Sequence, residues 1–409
     1  MKRYKSWPWL SLLLLATLSL QSCLGIGDNQ FQSKGTGNNG QQININTSDQ
    51  AVFKGKIYFT IGHNLYVLDG QKNLKRLTKG MDVRDPAISP DGKKIAFIRR
   101  DKNYSDLMLM NADGSNIKKL RSGNGTYRAN PNAPEFPISS AHWYAQPSWS
   151  PDGKKLIFLT DLGKDDYNPG TDTFLLDLLV YSISINNPQD AQPVAFGFFG
   201  DGGLRDPSYR PKHPDQIVYT SYKYDSTQTR QIIQVITEDP NAIANNPYKY
   251  KPGVVNIEVD PGVPLTPEIP DVANMQPVFS PDGNSIMYVR RENATTRSIY
   301  VMPATNGVTG DPANPNFDPN APANLKKGLV NYNKSVKLLS KSLLTQPTWS
   351  PDGTQIAFID NNNSTFDLWL ATLVKDPKTK AYSLKQDSLV QLTNVEGGID
   401  GESHPVWVA

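Results

Sequence analysis

An all-β, six-bladed propeller with four antiparallel strands per blade is the fold this sequence predicts, and three observations predict it. Five segments repeat one pattern: "DPAISPDGKKIAF", "QPSWSPDGKKLIF", "DPSYRPKHPDQIVY", "QPVFSPDGNSIMY" and "QPTWSPDGTQIAF". Their first prolines, Pro86, Pro147, Pro207, Pro277 and Pro347, lie 61, 60, 70 and 70 residues apart, a period typical of propellers and arrays. The chain then ends on "HPVWVA", which repeats the start of the unit, with Pro405 58 residues after Pro347.

Within each unit a short first strand carries one large apolar residue two places after the proline: Ile88, Trp149, Tyr209, Phe279 or Trp349. Ser-Pro-Asp-Gly then reverses the chain. Proline presets φ, aspartate accepts a nearby backbone hydrogen bond, and glycine takes the left-handed conformation. Asp91, Gly92, Asp152, Gly153, Asp282, Gly283, Asp352 and Gly353 are therefore read as turn formers, not catalytic groups. A β-rich second strand follows, such as Ile95-Ala96-Phe97-Ile98, then a third ("DLMLMNADG", "FDLWLATL") and a fourth ("SLVQLT"). Long helical periodicity is absent, which excludes a helical solenoid. The third unit departs from the pattern, with "RPKHPDQ" in place of the turn and His213 read as a surface residue.

Residues 55–80 read as the second, third and fourth strands of a unit that lacks its first. The C-terminal strand, residues 403–409 with Pro405 and Trp407 in the repeat positions, supplies it, so pairing the two ends completes a sixth blade and protects open edges. On this reading, deleting 403–409 costs far more stability than deleting 24–45.

The N-terminus carries a separate message. Lys2, Arg3 and Lys5 precede an apolar run from Trp9 to Leu20, too short to span a bilayer, so residues 1–22 read as a signal peptide. "LSLQSC" resembles the bacterial lipobox, which implies cleavage before Cys23 and a lipid on its thiol. Leu24 in the next position would permit outer-membrane sorting in a Gram-negative host. Residues 23–50, rich in Gly, Asn, Gln and Ser, read as a lipidated cysteine and flexible tether, and 51–409 as the propeller. Cys23 is the single cysteine, so an intrachain disulfide and cysteine metal sites are excluded. Three of the 42 basic side chains lie in the signal, which leaves 39 against 39 acidic ones. A neutral chain without a basic run has no electrostatic footprint for nucleic acid.

The "PxWSPDGxxIAF" units resemble the TolB-type propeller repeat across nearly all of 53–409. The resemblance implies six blades and a protein-interaction surface in the bacterial envelope. TolB proteins also carry an N-terminal α/β domain, and this sequence has only the short segment in its place.

Catalytic motifs are scarce: no G-x-S-x-G elbow, H-E-x-x-H pair or P-loop occurs. Polar residues precede each first strand and converge on a central channel in a propeller: Arg84, Asp85, Gln146, Arg205, Asp206, Gln276, Gln346, Glu402 and His404. Of these, Asp85, Asp206, Glu402 and His404 could ligate a divalent cation, against the plainer reading of a self-paired lining. The oxygen-rich insertion with Asp311, Asn314, Asn316, Asp318 and Asn320 is a weaker calcium candidate. Phe136, Trp143, Tyr144 and Phe317 are candidate loop anchors. The expectation is a non-catalytic, lipid-anchored, monomeric envelope scaffold without cofactor, whose partner is an envelope protein or linked to peptidoglycan. The alternatives are a metal-dependent hydrolase or lactonase with its ion in the channel, and a small-ligand or sugar sensor.

Overall fold

Alternating apolar residues bounded by tight turns give a chain whose regular structure, among the described residues, is almost entirely β-strand in the computed structural model, which describes residues 30–37, 40–128, 138–164, 177–197, 201–243, 262–306, 321–362 and 364–409. Antiparallel four-stranded sheets recur, the kind of unit from which β-propellers are built. Asp82–Ile88, Lys94–Arg100, Ser105–Asn111 and Lys118–Arg121 form one sheet in sequence order. Tyr144–Trp149, Lys155–Thr160, Leu179–Ser184 and Asn187–Ala195 form the next. The two following units, from Leu204–Arg210 to Val336–Lys341, are joined into one eight-stranded sheet by a parallel contact of Ile233 with Ala273. A short α-helix, Pro322–Leu329, lies in the connection before Val336–Lys341.

The four Ser-Pro-Asp-Gly turns are built alike. Ser89, Ser150, Ser280 and Ser350 each donate a hydroxyl hydrogen bond of 2.6–2.7 Å to Oδ1 of the aspartate two residues on. That same oxygen accepts a main-chain N–H at 3.0–3.1 Å, from Lys93, Lys154, Asn284 or Thr354. The glycines sit at φ between 69° and 72°, where a side chain is strained. In the third unit Arg210 replaces this device. Its guanidinium, 4 % exposed at the residue level, donates to the Gly283 carbonyl at 2.7 Å and to Gln216 Oε1 at 2.7 Å. The missing turn is thus exchanged for a buried link to the next unit's turn, and His213 stands exposed beside it.

The large residue of the first strand packs between neighbouring sheets. Trp149 Nε1 donates to the Ala87 carbonyl at 3.0 Å, and Trp349 Nε1 to the Val278 carbonyl at 3.4 Å. Both indoles are buried and satisfied, as buried indoles usually are.

The two chain ends meet. Val406–Val408 pairs antiparallel with Lys56–Ile61, with Tyr58 opposite Val406 and Lys56 opposite Val408, and Asn64–Asp69 and Leu74–Arg76 complete that sheet. Gly55, at φ 81°, allows the approach, because a Cβ there would lie 2.1 Å from the Val408 carbonyl oxygen. Trp407 stands edge-on to Phe53 at 5.7 Å and donates to the Lys54 carbonyl at 2.7 Å.

The flexible tether expected over 23–50 is corrected for its second half. Phe31–Thr36 and Gln42–Asn46 form a hairpin, and the second strand pairs with Thr393–Val395. Ile43 and Ile45 are fully buried in a core shared by both ends of the chain, with Phe53, Ile359, Leu368 and Trp407. The polar composition hid a two-residue alternation, Ile43-x-Ile45, which suffices to place one face of a short strand in a core. The fourth strand expected at "SLVQLT" is likewise divided: Val390–Gln391 stays in the last unit, while Thr393–Val395 pairs with the hairpin. Residues 1–29, including Cys23, lie outside the described residues.

Deletion of 403–409 and the single change Ile43→Ala should therefore both destabilise. By large-to-small core precedent, Ile43→Ala costs about 2–5 kcal/mol, measured by urea unfolding; a cost near zero would return 40–46 to the status of a tether.

Candidate functional site

The residue before the repeat proline has the same unusual backbone in five units. Asp85, Gln146, Asp206, Gln276 and Gln346 sit at φ between 46° and 55°. Each lies at a register shift between the first and second strands, as between Arg84 and Ala87 or Thr345 and Thr348. Such bulges place an extra residue on one strand and re-aim its groups. The left-handed conformation costs a non-glycine residue on the order of 1 kcal/mol, so an interaction at each position must offset it.

That interaction is a closed circuit of hydrogen bonds. The Gln146 N–H donates to Asp85 Oδ2 at 3.1 Å, the Asp206 N–H to Gln146 Oε1 at 2.6 Å, and the Gln276 N–H to Asp206 Oδ2 at 3.3 Å. The Gln346 N–H continues it to Gln276 Oε1 at 2.8 Å. His404 Nδ1 then contacts Gln346 Oε1, and the adjacent Ser403 joins the series back to its start by accepting the Asp85 N–H. Thr220, Thr345 and Ser403 supply cross-links. The Thr220 hydroxyl donates to Asp206 Oδ2 at 2.9 Å, Gln276 Nε2 to Thr345 Oγ1 at 2.8 Å, and the Asp85 N–H to Ser403 Oγ at 3.1 Å.

Beside this girdle lies a cavity of about 250 Å³ lined by Asp85, Gln146, Asp206 and His404 together with Trp149 and the prolines Pro86, Pro147, Pro207, Pro277 and Pro405. Burial governs its titratable groups. The Asp85 carboxyl is pushed up to about 6 by burial, opposed by the Gln146 N–H and reinforced by the Asp206 carboxylate. Asp206 is also raised by burial, against the pull of Thr220 and Gln146. Burial pushes the His404 imidazole down to about 4, so it is neutral at pH 7. Contact with a carbonyl-type oxygen places the ring proton on Nδ1.

Six of the nine expected channel residues are thus brought together: Asp85, Gln146, Asp206, Gln276, Gln346 and His404. Arg84, Glu402 and Arg205 are not part of the circuit. Arg84 is held by Asp82 at 2.8 Å and by Glu402, whose side chain is 58 % exposed. Arg205 donates to the Leu204 carbonyl and faces the Tyr222 ring at 5.8 Å. The cation set Asp85, Asp206, Glu402 and His404 is therefore not assembled, because Glu402 is spent on Arg84. Among the described residues no group of three or more His, Cys, Asp or Glu side chains is placed to hold a metal ion. Tyr144, expected as a loop anchor, is instead core, 2 % exposed and edge-on to Phe158 at 5.7 Å. Trp143 is half-buried under the Arg100 guanidinium. Phe136, Phe317 and the insertion Asp311, Asn314, Asn316, Asp318 and Asn320 lie outside the described residues. Thr220 and Thr345 carried no sequence signal, since threonine in a strand is ordinary.

The chain matches no protein-family model and no curated protein. Among solved structures it is similar to an oligogalacturonate lyase from Vibrio parahaemolyticus, at 13% identity over 87% of this chain and 84% of that one, with a TM-score of 0.43. A putative TolB from Agrobacterium tumefaciens is similar at 15% identity over 79% and 87% of the two chains, with a TM-score of 0.41. Kuenenia stuttgartiensis hydrazine synthase is similar at 14% identity over 88% and 49%, with a TM-score of 0.46.

The girdle makes a prediction with opposite signs. Asp85, with its folded pKa raised, binds more protons folded than unfolded between pH 4 and 6, so its contribution to stability falls as pH rises through that window. His404, with its folded pKa lowered, binds fewer, so its contribution rises as pH goes from 4 to 6.5. Relative to the wild type, Asp85→Asn should make the slope of unfolding free energy over pH 4–6 more positive, and His404→Gln more negative. Denaturant titrations at several pH values measure both slopes.

Proposed function

We propose that these sheets are the six blades of one ring, closed by residues 403–409, and that the protein is a non-catalytic, monomeric scaffold of the bacterial envelope. In this reading Cys23 carries the lipid that holds it to the membrane, facing the periplasm in a Gram-negative host. Its partner is an envelope protein or a protein linked to peptidoglycan. One observation carries the proposal. The polar groups in the channel, where a reacting centre would be built, are engaged with one another: the carboxylates of Asp85 and Asp206 accept main-chain N–H groups, and the glutamines bridge them. Groups satisfied in this way hold strands together and leave little capacity to bind and turn over a substrate.

Metal analysis of protein purified without chelator tests the non-catalytic reading. No stoichiometric ion should be found, and added manganese, calcium or zinc should leave the melting temperature unchanged. A stoichiometric ion lost on His404→Ala or Asp206→Ala would overturn it in favour of a metal-dependent enzyme. Anchoring is tested separately by palmitate labelling in the native host, which should be lost in Cys23→Ala.

A further inference from the structure

The cavity beside the girdle is lined by two carboxylates and by no lysine or arginine. Asp85 and Asp206 both border it, and one residue ties them together. Gln146 gives its main-chain N–H to Asp85 Oδ2 at 3.1 Å and its side-chain amide to Asp206 Oδ1 at 2.9 Å. Both aspartates lie deep in the protein yet stay partly accessible, as side chains bordering a cavity do. Neither makes an ion pair among the described residues. Arg84 is spent on Asp82 and Glu402, and Arg205 on the Leu204 carbonyl and the Tyr222 ring, so each acts on the neighbouring aspartate only from a distance. Two anions placed this way repel each other and lose solvation, a cost that a cation between them offsets.

The cavity's polar groups have acceptor capacity to spare. A carboxylate accepts about four hydrogen bonds, and Asp206 receives three, from Gln146 Nε2, the Thr220 hydroxyl and the Gln276 N–H. With its proton on Nδ1, His404 keeps a lone pair on Nε2, which takes no hydrogen bond among the described residues. Much of the remaining wall is apolar, made by Trp149 and the rings of Pro86, Pro147, Pro207, Pro277 and Pro405. Such a wall does not suit a divalent metal ion, which asks for converging oxygen or nitrogen ligands. It suits a cation with several N–H donors on a hydrocarbon stem. Space is sufficient, since an apolar cavity of about 150 Å³ holds benzene and this one measures about 250 Å³.

We propose that this cavity binds a primary ammonium group, with the Asp85 and Asp206 carboxylates and His404 Nε2 as its acceptors and the proline collar around its carbon stem. An ammonium has three donors and no acceptor, which matches three acceptors and no free donor. It can belong to a free small amine or to a lysine side chain of a partner. No bond is made or broken there, so the site adds a ligand to the girdle without making it catalytic. It depends neither on a lipid at Cys23 nor on the scaffold reading.

Calorimetric titration of the folded protein near pH 7 with n-butylamine, against n-butanol as the neutral analogue, tests the site. Nα-acetyl-lysinamide, against its Nε-acetylated form, tests the side-chain source. At least one amine should bind saturably, about tenfold or more tighter than its neutral counterpart, the difference made by one charge-assisted contact. Asp85→Asn and Asp206→Asn, which preserve shape, should each weaken that binding by a similar factor. Ser208→Leu, which enlarges a lining residue and leaves both carboxylates in place, should weaken it as well. Glu402→Gln, at the rim acid held by Arg84, should bind as the wild type does. The comparison of amine with neutral analogue needs no variant, so it decides the case even where an aspartate variant fails to fold. No saturable binding of either amine, neutral analogues that bind as tightly as the amines, or affinity unchanged in all three cavity variants would overturn the proposal.

Discussion

Every first strand in this protein delivers a main-chain N–H to the side chain of its neighbour, and the rest of the architecture depends on that exchange. The bulge before each repeat proline forces a left-handed residue at Asp85, Gln146, Asp206, Gln276 and Gln346. An isolated bulge of this kind would be a local cost. Linked head to tail, five of them and His404 turn strained positions into a series in which each hydrogen bond ties one sheet to the next. Side-chain length matters, since glutamine and aspartate reach the adjacent backbone and shorter or apolar residues would leave its N–H unpaired.

Away from these first strands, apolar packing takes over. Trp149 and Trp349 each span two sheets, and Arg210 spans the interface where the repeat loses its turn. The junction of the chain ends is the most elaborate of these contacts. Val406–Val408 enters the sheet of Lys56–Ile61 while Gln42–Asn46 pairs with Thr393–Val395, so both pairings border one shared core. Asp367, 1 % exposed, sits at that junction, accepting from the Thr393 hydroxyl at 2.9 Å and the Val395 N–H at 3.1 Å. Burial still raises its carboxyl to about 6.

The distribution of charge follows from this geometry. Arg84 is paired with both Asp82 and Glu402, whereas Arg205 faces the Tyr222 ring beside the buried Asp206. A chain whose formal net charge is only +3 can still carry local fields, which net charge alone does not reveal.

The repeats by themselves determined the all-β class, the strand–turn–strand order, the four Ser-Pro-Asp-Gly turns, and the pairing of the C-terminal strand with residues near 56. These are local signals, written as proline spacing, glycine at positive φ and two-residue alternation. The proline position also singled out Asp85, Gln146, Asp206, Gln276, Gln346 and His404, which the structure links into one hydrogen-bonded series. What they do there was decided by tertiary structure, because a hydrogen bond from Gln146 to Asp85 joins residues 61 apart and depends on bulge geometry that no local pattern specifies. The same holds for Glu402, taken by Arg84, and for Tyr144, taken into the core. Ile43 and Ile45 show the reason most plainly. Two apolar residues in a polar segment are too weak a local signal to mark a strand, and only the exposed edge at Thr393–Val395 gives them a partner and a core to enter.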